Sequence, residues 1–252
     1  MPGGEAATPN RSLPTLNKLN VKAPTNVDAA AVAGSWLQQF NQRVEANDPA
    51  GAVSLLVEDV FWRDMLALTW EFRTFEGPAS IKQFLGDQLP VTQFSKIALR
   101  PDFVEFQQPY PDLAWVQALF SFETKTGLGS GVVRLVPTTS SASATSAEGW
   151  KAHTLYTNLE DLKGFPERTG PNRDAVPNHG MWPEKRRREA AFEDREPTVI
   201  VLGAGQAGLE VSARLQLLGI PTLIIERNPR VGDQWRNRYE ALCLHDPVCE
   251  YL

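Results

Sequence analysis

The amino-acid sequence predicts an α+β domain, helices packed on a curved antiparallel sheet, followed by the first β–α–β of a parallel α/β unit. Three observations carry that reading. Ala29, Val32, Ala33, Trp36, Leu37, Phe40 and Val44 recur in steps of three and four, one face of a helix. Ala114, Val116, Ala118, Phe120 and Phe122 alternate with their neighbours, the period of two that marks a strand. Gly203, Gly205 and Gly208 directly follow a β-branched run. Helices first and a strand meander after them argue for segregated helix and sheet layers.

Residues 1–25 are rich in Pro, Gly, Asn and Thr without a sustained period and read as flexible; the tail is placed at 1–32. Asn47, Asp48 and Pro49 stop the first helix, and a shorter one follows through Ala52, Val53, Leu55 and Leu56. Val60–Trp62 and Leu66–Phe72 are aromatic and β-forming, and Gly77 and Pro78 open a third helix carrying Ile81, Phe84 and Leu85. Strands dominate from Ile97. Glycines 127, 129 and 131 lead into Val132–Val136, the Ser/Thr/Ala run Thr138–Ser146 reads as a mobile hairpin loop, and Trp150–Tyr156 resumes the alternation. This places a first domain at 33–165, a Pro/Gly-rich linker with a charged helix at 166–197, and the start of a second domain at 198–252. Within the linker, Lys185–Arg188 is followed by Glu189, Glu193, Asp194 and Glu196. The acids make it a solvated helix with internal ion pairs rather than a nuclear-localisation patch.

Of 252 residues, 42% are hydrophobic and 22% charged, which excludes a disordered, collagen-like or disulfide-scaffold chain. With 25 Lys+Arg against 30 Asp+Glu, the net charge of −5 gives no reason to expect nucleic acid. No secretory leader and no apolar stretch of ~20 residues is visible, so a cytoplasmic protein without a membrane span is expected. Cys243 and Cys249 are too few for a disulfide framework. With His245 they fall short of the four ligands of structural zinc, so free thiols and no metal site are expected.

The run Thr198–Leu202 suits a buried parallel strand and leads into Gly203-Ala204-Gly205-Gln206-Ala207-Gly208, a G-x-G-x-x-G pattern. A helix follows over Ala207–Leu218, Gly219 ends it, and Thr222–Ile225 forms a second strand closed by Glu226. This is the fingerprint of a Rossmann-type dinucleotide fold. The first glycine permits the tight turn, the second lets a pyrophosphate approach, and the third lets helix and strand pack closely. The helix N-terminus supplies N–H donors, and the acid accepts from a ribose diol. An acid here fits FAD or NAD rather than NADP.

Arg227 to Leu244 resembles flavin-containing monooxygenases and the related Baeyer–Villiger enzymes. In that family a G-G-x-W element follows the acid and wraps the FAD pyrophosphate and ribityl chain. Here it is Gly232, Asp233, Gln234 and Trp235, with Asp233 replacing the second glycine. The continuation through Arg236, Asn237, Arg238, Tyr239, Leu242, Leu244, His245 and Pro247 looks like the fungal and plant branch, where this segment runs beneath the flavin. The resemblance implies FAD as the first nucleotide and NADPH as reductant. In a complete enzyme it also implies oxygenation of a small organic substrate through a C4a-peroxyflavin. The implied FAD-binding residues are Gly203, Gly205, Gln206, Ala207, Gly208, Glu226, Arg227, Gln234, Trp235 and His245; catalytic residues stay unassigned.

Residues 33–162 more loosely resemble the SnoaL-like, nuclear-transport-factor-2-like cone, through element order and Trp62, Asp64, Thr69, Trp70, Thr74 and Gly77. Such cones use a pocket carboxylate as general base. That makes Asp64 a candidate with His153 as its partner, against the plainer reading of a strand-end carboxylate and a half-exposed histidine. Trp36, Phe40, Trp62, Trp70 and Phe72 read as core. No second glycine fingerprint for NADPH precedes Leu252, so the expectation is the N-terminal portion of a longer enzyme, with an incomplete FAD-binding unit. The alternative is a catalytically inactive truncated protein whose cone binds a small molecule or forms a homodimer.

Overall fold

The structure is a computed structural model that describes residues 13–139, 141–173, 175, 177 and 179–241. It divides into two units, with the boundary after Gly164.

The first unit runs α1 (Leu16–Leu19), α2 (Ala29–Glu45), α3 (Pro49–Val53), β1 (Leu56–Met65), β2 (Phe72–Glu76), α4 (Gly77–Thr92), β3 (Ser95–Tyr110), β4 (Leu113–Glu123), β5 (Gly127–Pro137) and β6 (Trp150–Leu162). Its six strands form one sheet in the order β2-β1-β6-β5-β4-β3. The α+β layering is as expected, but the sheet is mixed: β1 pairs with β6 in parallel, Asp64 opposite Thr157. Periodicity reports which face a side chain takes, not strand direction, and the long chain between β1 and β6 permits a parallel pairing.

Capping sets the helix starts. The Asp28 carboxylate accepts from Ala31 N at 3.0 Å, and that of Asp48 from Gly51 N at 2.8 Å. The second helix ends at Val53; Leu56, expected within it, instead starts β1 opposite Ala152. Strand pairing here overrides helical spacing. The expected flexible tail is shorter over the described residues, because α2 starts at Ala29 and Leu16 is 4% exposed. Leu16 N also donates to Asp112 O at 2.6 Å. Among the described residues of the Ser/Thr/Ala loop, expected to be mobile, two carbonyls are bonded to neighbouring elements. Ser143 O accepts from Trp150 Nε1 at 2.7 Å, and Ala144 O from Asp28 N at 2.7 Å.

Aromatic rings fill the layer between helices and sheet. Trp36 stacks on Phe40 with centroids 4.9 Å apart, Phe40 meets Trp62 at 5.9 Å, and Trp62 meets Phe84 edge-on at 5.4 Å. The glycines of β5 make room for two more: a Cβ on Gly129 or Gly131 would lie 2.2 Å from the Phe122 or Phe120 ring. Trp70 and Phe72 depart from expectation and lie outside this core, 70% and 61% exposed. Trp70 lies in the β1–β2 connection and Phe72 is the first residue of the edge strand β2.

The second unit contains α5 (Trp182–Ala191), β7 (Val199–Leu202), α6 (Gln206–Leu217), β8 (Thr222–Ile225) and α7 (Asp233–Arg238). Helix α5 buries no residue and carries ion pairs such as Arg187–Glu184 at 2.9 Å and Arg187–Glu193 at 2.6 Å. Strands β7 and β8 are parallel, Val199 opposite Thr222, and their outward residues Ile200 and Leu202 are 56% and 81% exposed. No helix among the described residues is long and apolar enough to cross a membrane.

Candidate functional site

The glycine turn lies between β7 and α6. Gly203 adopts φ +102°, a conformation L side chains rarely take, and its N–H donates to Ile225 O at 2.8 Å, tying the turn to the end of β8. Gly208 is required by packing: a Cβ there would lie 2.0 Å from Gly203 O, a backbone atom that cannot yield. Gly205 is the N-cap of α6 and supplies no side-chain cap, and no acid occupies the first turn. Gln206 and Ala207 are exposed. The helix therefore presents uncapped N–H donors and the positive end of its dipole to solvent, an arrangement that binds anions.

Glu226 sits at the mouth of this turn. Its carboxylate accepts from Asn228 N at 2.8 Å, Asn228 Nδ2 at 2.8 Å and Ala204 N at 2.6 Å. These bonds, that from Asn228 N foremost, hold it below the usual carboxylate range. Asn228 is a site residue that the motif reading missed; its signal is an amide two positions after the acid, the spacing of a local turn. The Gln234 amide lies over Gly205, 2.5 Å from where a Cβ would stand. A cleft of about 480 Å³ is walled by Gly203, Glu226, Arg227 and Gln234.

The G-D-x-W variant has its own logic. Gly232 takes φ +84° as the N-cap of α7, and Asp233 is 8% exposed. The Asp233 carboxylate accepts from Arg230 Nε at 2.7 Å and Arg236 Nη1 at 3.1 Å, and these cations, Arg230 first, hold it below its ordinary range. An acid thus staples the turn with two arginines, a function sequence spacing did not reveal. Trp235 is 39% exposed, with Tyr239 at 5.8 Å. His245, Cys243 and Cys249 lie outside the described residues.

Asp64 is fully buried and saturated. It accepts from Leu68 N at 3.2 Å, Thr69 N at 2.9 Å, Thr69 Oγ1 at 3.0 Å and Thr157 Oγ1 at 2.7 Å. Trp62 Nε1 donates to Thr157 Oγ1 at 3.0 Å, which commits that hydroxyl's proton to Asp64. His153 does not join it. It faces Phe61, with ring centroids 5.9 Å apart, and its Nε2 lies 3.7 Å from Asp59 Oδ2, whereas Asp64 shares the buried face of β1 with Val60 and Trp62. A strand's alternation puts Phe61 and Asp64 on opposite faces. The general-base pairing of Asp64 with His153 is therefore not formed; Asp64 fastens the 66–71 loop.

No family model matches the chain. Over 57 residues it is 42% identical to indole-3-pyruvate monooxygenase YUCCA4 of Oryza sativa subsp. japonica, covering 21% of this chain and 13% of that protein. Over 54 residues it is 47% identical to indole-3-pyruvate monooxygenase YUCCA8 of Oryza sativa subsp. indica, covering 20% and 13%. Over 49 residues it is 45% identical to an oxidoreductase described as CzcO-like from Geobacillus kaustophilus, covering 19% and 14%. The chain thus spans only 13–14% of the length of these relatives. Similar solved structures include a cystatin-like domain from Nostoc punctiforme, at 12% identity and TM-score 0.39, covering 68% of this chain and all of that one. A nuclear-transport-factor-2-like protein from Novosphingobium aromaticivorans has 14% identity and TM-score 0.36, covering 53% and 83%. The short sequence matches make about a fifth of this chain similar to part of these oxidoreductases, two of which are indole-3-pyruvate monooxygenases.

Proposed function

We propose that this chain contributes the adenosine-diphosphate-binding part of an FAD- and NADPH-dependent monooxygenase acting on a small organic substrate. The observation that supports it is the turn itself: a glycine at positive φ and a carboxylate line one cleft, and an uncapped helix begins directly after that glycine's turn. The residues fit the group. The α6 N-terminus accommodates a pyrophosphate over Gly205, where only the far end of the Gln234 side chain must swing aside. Glu226 has the acceptor oxygens to exchange a backbone N–H for ribose hydroxyls. Arg227 lines the cleft, and Gln206, Ala207, Trp235 and His245 complete the proposed set. When bound, FAD supplies the two-electron reduction and oxygen activation that monooxygenation needs. The residues of this chain bind and orient it, and none is assigned to the chemical step.

The test is a titration of the 252-residue chain with FAD and, separately, with FMN, which lacks the adenosine diphosphate half. Saturable FAD binding is expected, weakened about tenfold by Glu226→Gln, with FMN binding far weaker. FMN bound as tightly as FAD, or no saturable FAD binding, overturns the proposal.

A further inference from the structure

We propose that a groove on the first unit binds a small planar aromatic anion of the aryl-carboxylate class. Its walls are the 66–71 loop between β1 and β2, the last turn of α4, and the turn at 124–126 between β4 and β5. Its volume, about 520 Å³, lies within the ~300–1,000 Å³ usual for small-molecule sites.

The first feature that assigns the ligand is Trp70. Its indole is 70% exposed on the groove wall and makes no ring contact among the described residues, with Val91 67% exposed on the same groove. An exposed indole on a floppy loop would be unremarked surface. Here the support is rigid: Asp64 holds the N–H groups of Leu68 and Thr69 and the Thr69 hydroxyl, and Leu68 and Ala67 are buried at 3% and 8% exposure. A large flat apolar face is thus held out to solvent by a buried carboxylate, an arrangement suited to stacking.

The second feature is charge. Glu71 is neutralised by Arg73 at 2.6 Å, which leaves Lys125 as the uncompensated charge of the lining; it has no ion pair among the described residues. Its backbone is fixed by a 2.6 Å bond from Lys125 N to Thr92 O. The rim adds the Gln88 amide and the Thr126 hydroxyl as polar partners. One aromatic face and one cation on a fixed frame complement a ring that carries a carboxylate. A neutral arene leaves Lys125 unused, and an aliphatic acid leaves Trp70 unused. The site shares no residue with the nucleotide-binding turn and stands or falls separately from it.

The experiment is calorimetric titration of the 252-residue chain with 2-naphthoate, with and without saturating FAD. The controls are 2-naphthol and cyclohexanecarboxylate. Saturable sub-millimolar binding of 2-naphthoate is expected, weakened about fivefold or more by Trp70→Ala and by Lys125→Gln, and restored by Lys125→Arg. Both side chains are exposed, so an unchanged unfolding midpoint verifies that the variants fold. Absence of saturable binding up to about 5 mM, or binding that ignores both substitutions, overturns the proposal. So does equal affinity for 2-naphthol, whereas failure of FAD binding alone leaves it standing.

Discussion

Replacing Asp64 with alanine tests whether this carboxylate is a structural fastener. The substitution strands three donors, Leu68 N–H, Thr69 N–H and the Thr157 hydroxyl, while the Thr69 hydroxyl keeps the Glu71 carbonyl as acceptor at 3.1 Å. Leu68 and Thr157 are buried, at 3% and 0% exposure, so their donors find no water. A buried orphaned donor costs about 1–3 kcal/mol, so these two alone amount to roughly 2–6 kcal/mol. Thr157 is doubly committed, because Trp62 Nε1 donates to its oxygen. A loss of about 3 kcal/mol lowers the melting temperature by roughly 6–12 °C for a domain of this size. Asp64→Asn keeps an acceptor oxygen but turns an amide N–H₂ toward donors, so its loss should be intermediate. Urea unfolding followed by tryptophan fluorescence measures this, since Trp36, Trp62 and Trp150 are buried in the first unit. A loss below about 1 kcal/mol for the alanine variant, or an asparagine variant worse than alanine, refutes the assignment.

Three further outcomes are expected. Gly208→Ala puts a methyl 2.0 Å from Gly203 O and should pry α6 from the turn; faster hydrogen exchange over 199–225, with the first unit unaffected, checks it. Gly131→Ala places a Cβ 2.2 Å from the Phe120 ring and 2.6 Å from Tyr156 O, so a loss of about 1–3 kcal/mol or more in urea unfolding is expected. Burial holds the His153 imidazole below its ordinary value, opposed by Asp59, while Lys18 and Arg134 add to the depression. The fold therefore favours neutral His153. Its contribution is complete above the unfolded value of about 6.5 and is lost as pH falls through the lower folded value. Stability measured between pH 7 and 5 should decline, and His153→Phe should flatten that decline.

Much of the first unit was legible because its signals are local. The stripe from Val32 to Val44 marked α2, and the alternation from Ala114 to Phe122 marked β4, because burial of one face imposes each period. The turn of the second unit was equally readable, since Gly203 and Gly208 answer backbone demands that no other residue meets. Trp70 shows where this reasoning stops. An aromatic residue in an apolar run reads as core, yet here the run belongs to a loop pinned by Asp64, and the indole faces a groove.

Residue order alone therefore set α2, α4, the alternating faces of β4 and the glycine turn, all products of interactions within a few residues. Tertiary structure decided the parallel pairing of β1 with β6, and with it the meeting of Asp64 and Thr157. It also turned His153 toward Asp59 instead of Asp64, and placed Trp70 and Lys125 around one groove. Those juxtapositions join residues distant in the chain, and no local period or spacing encodes which distant partner a side chain meets.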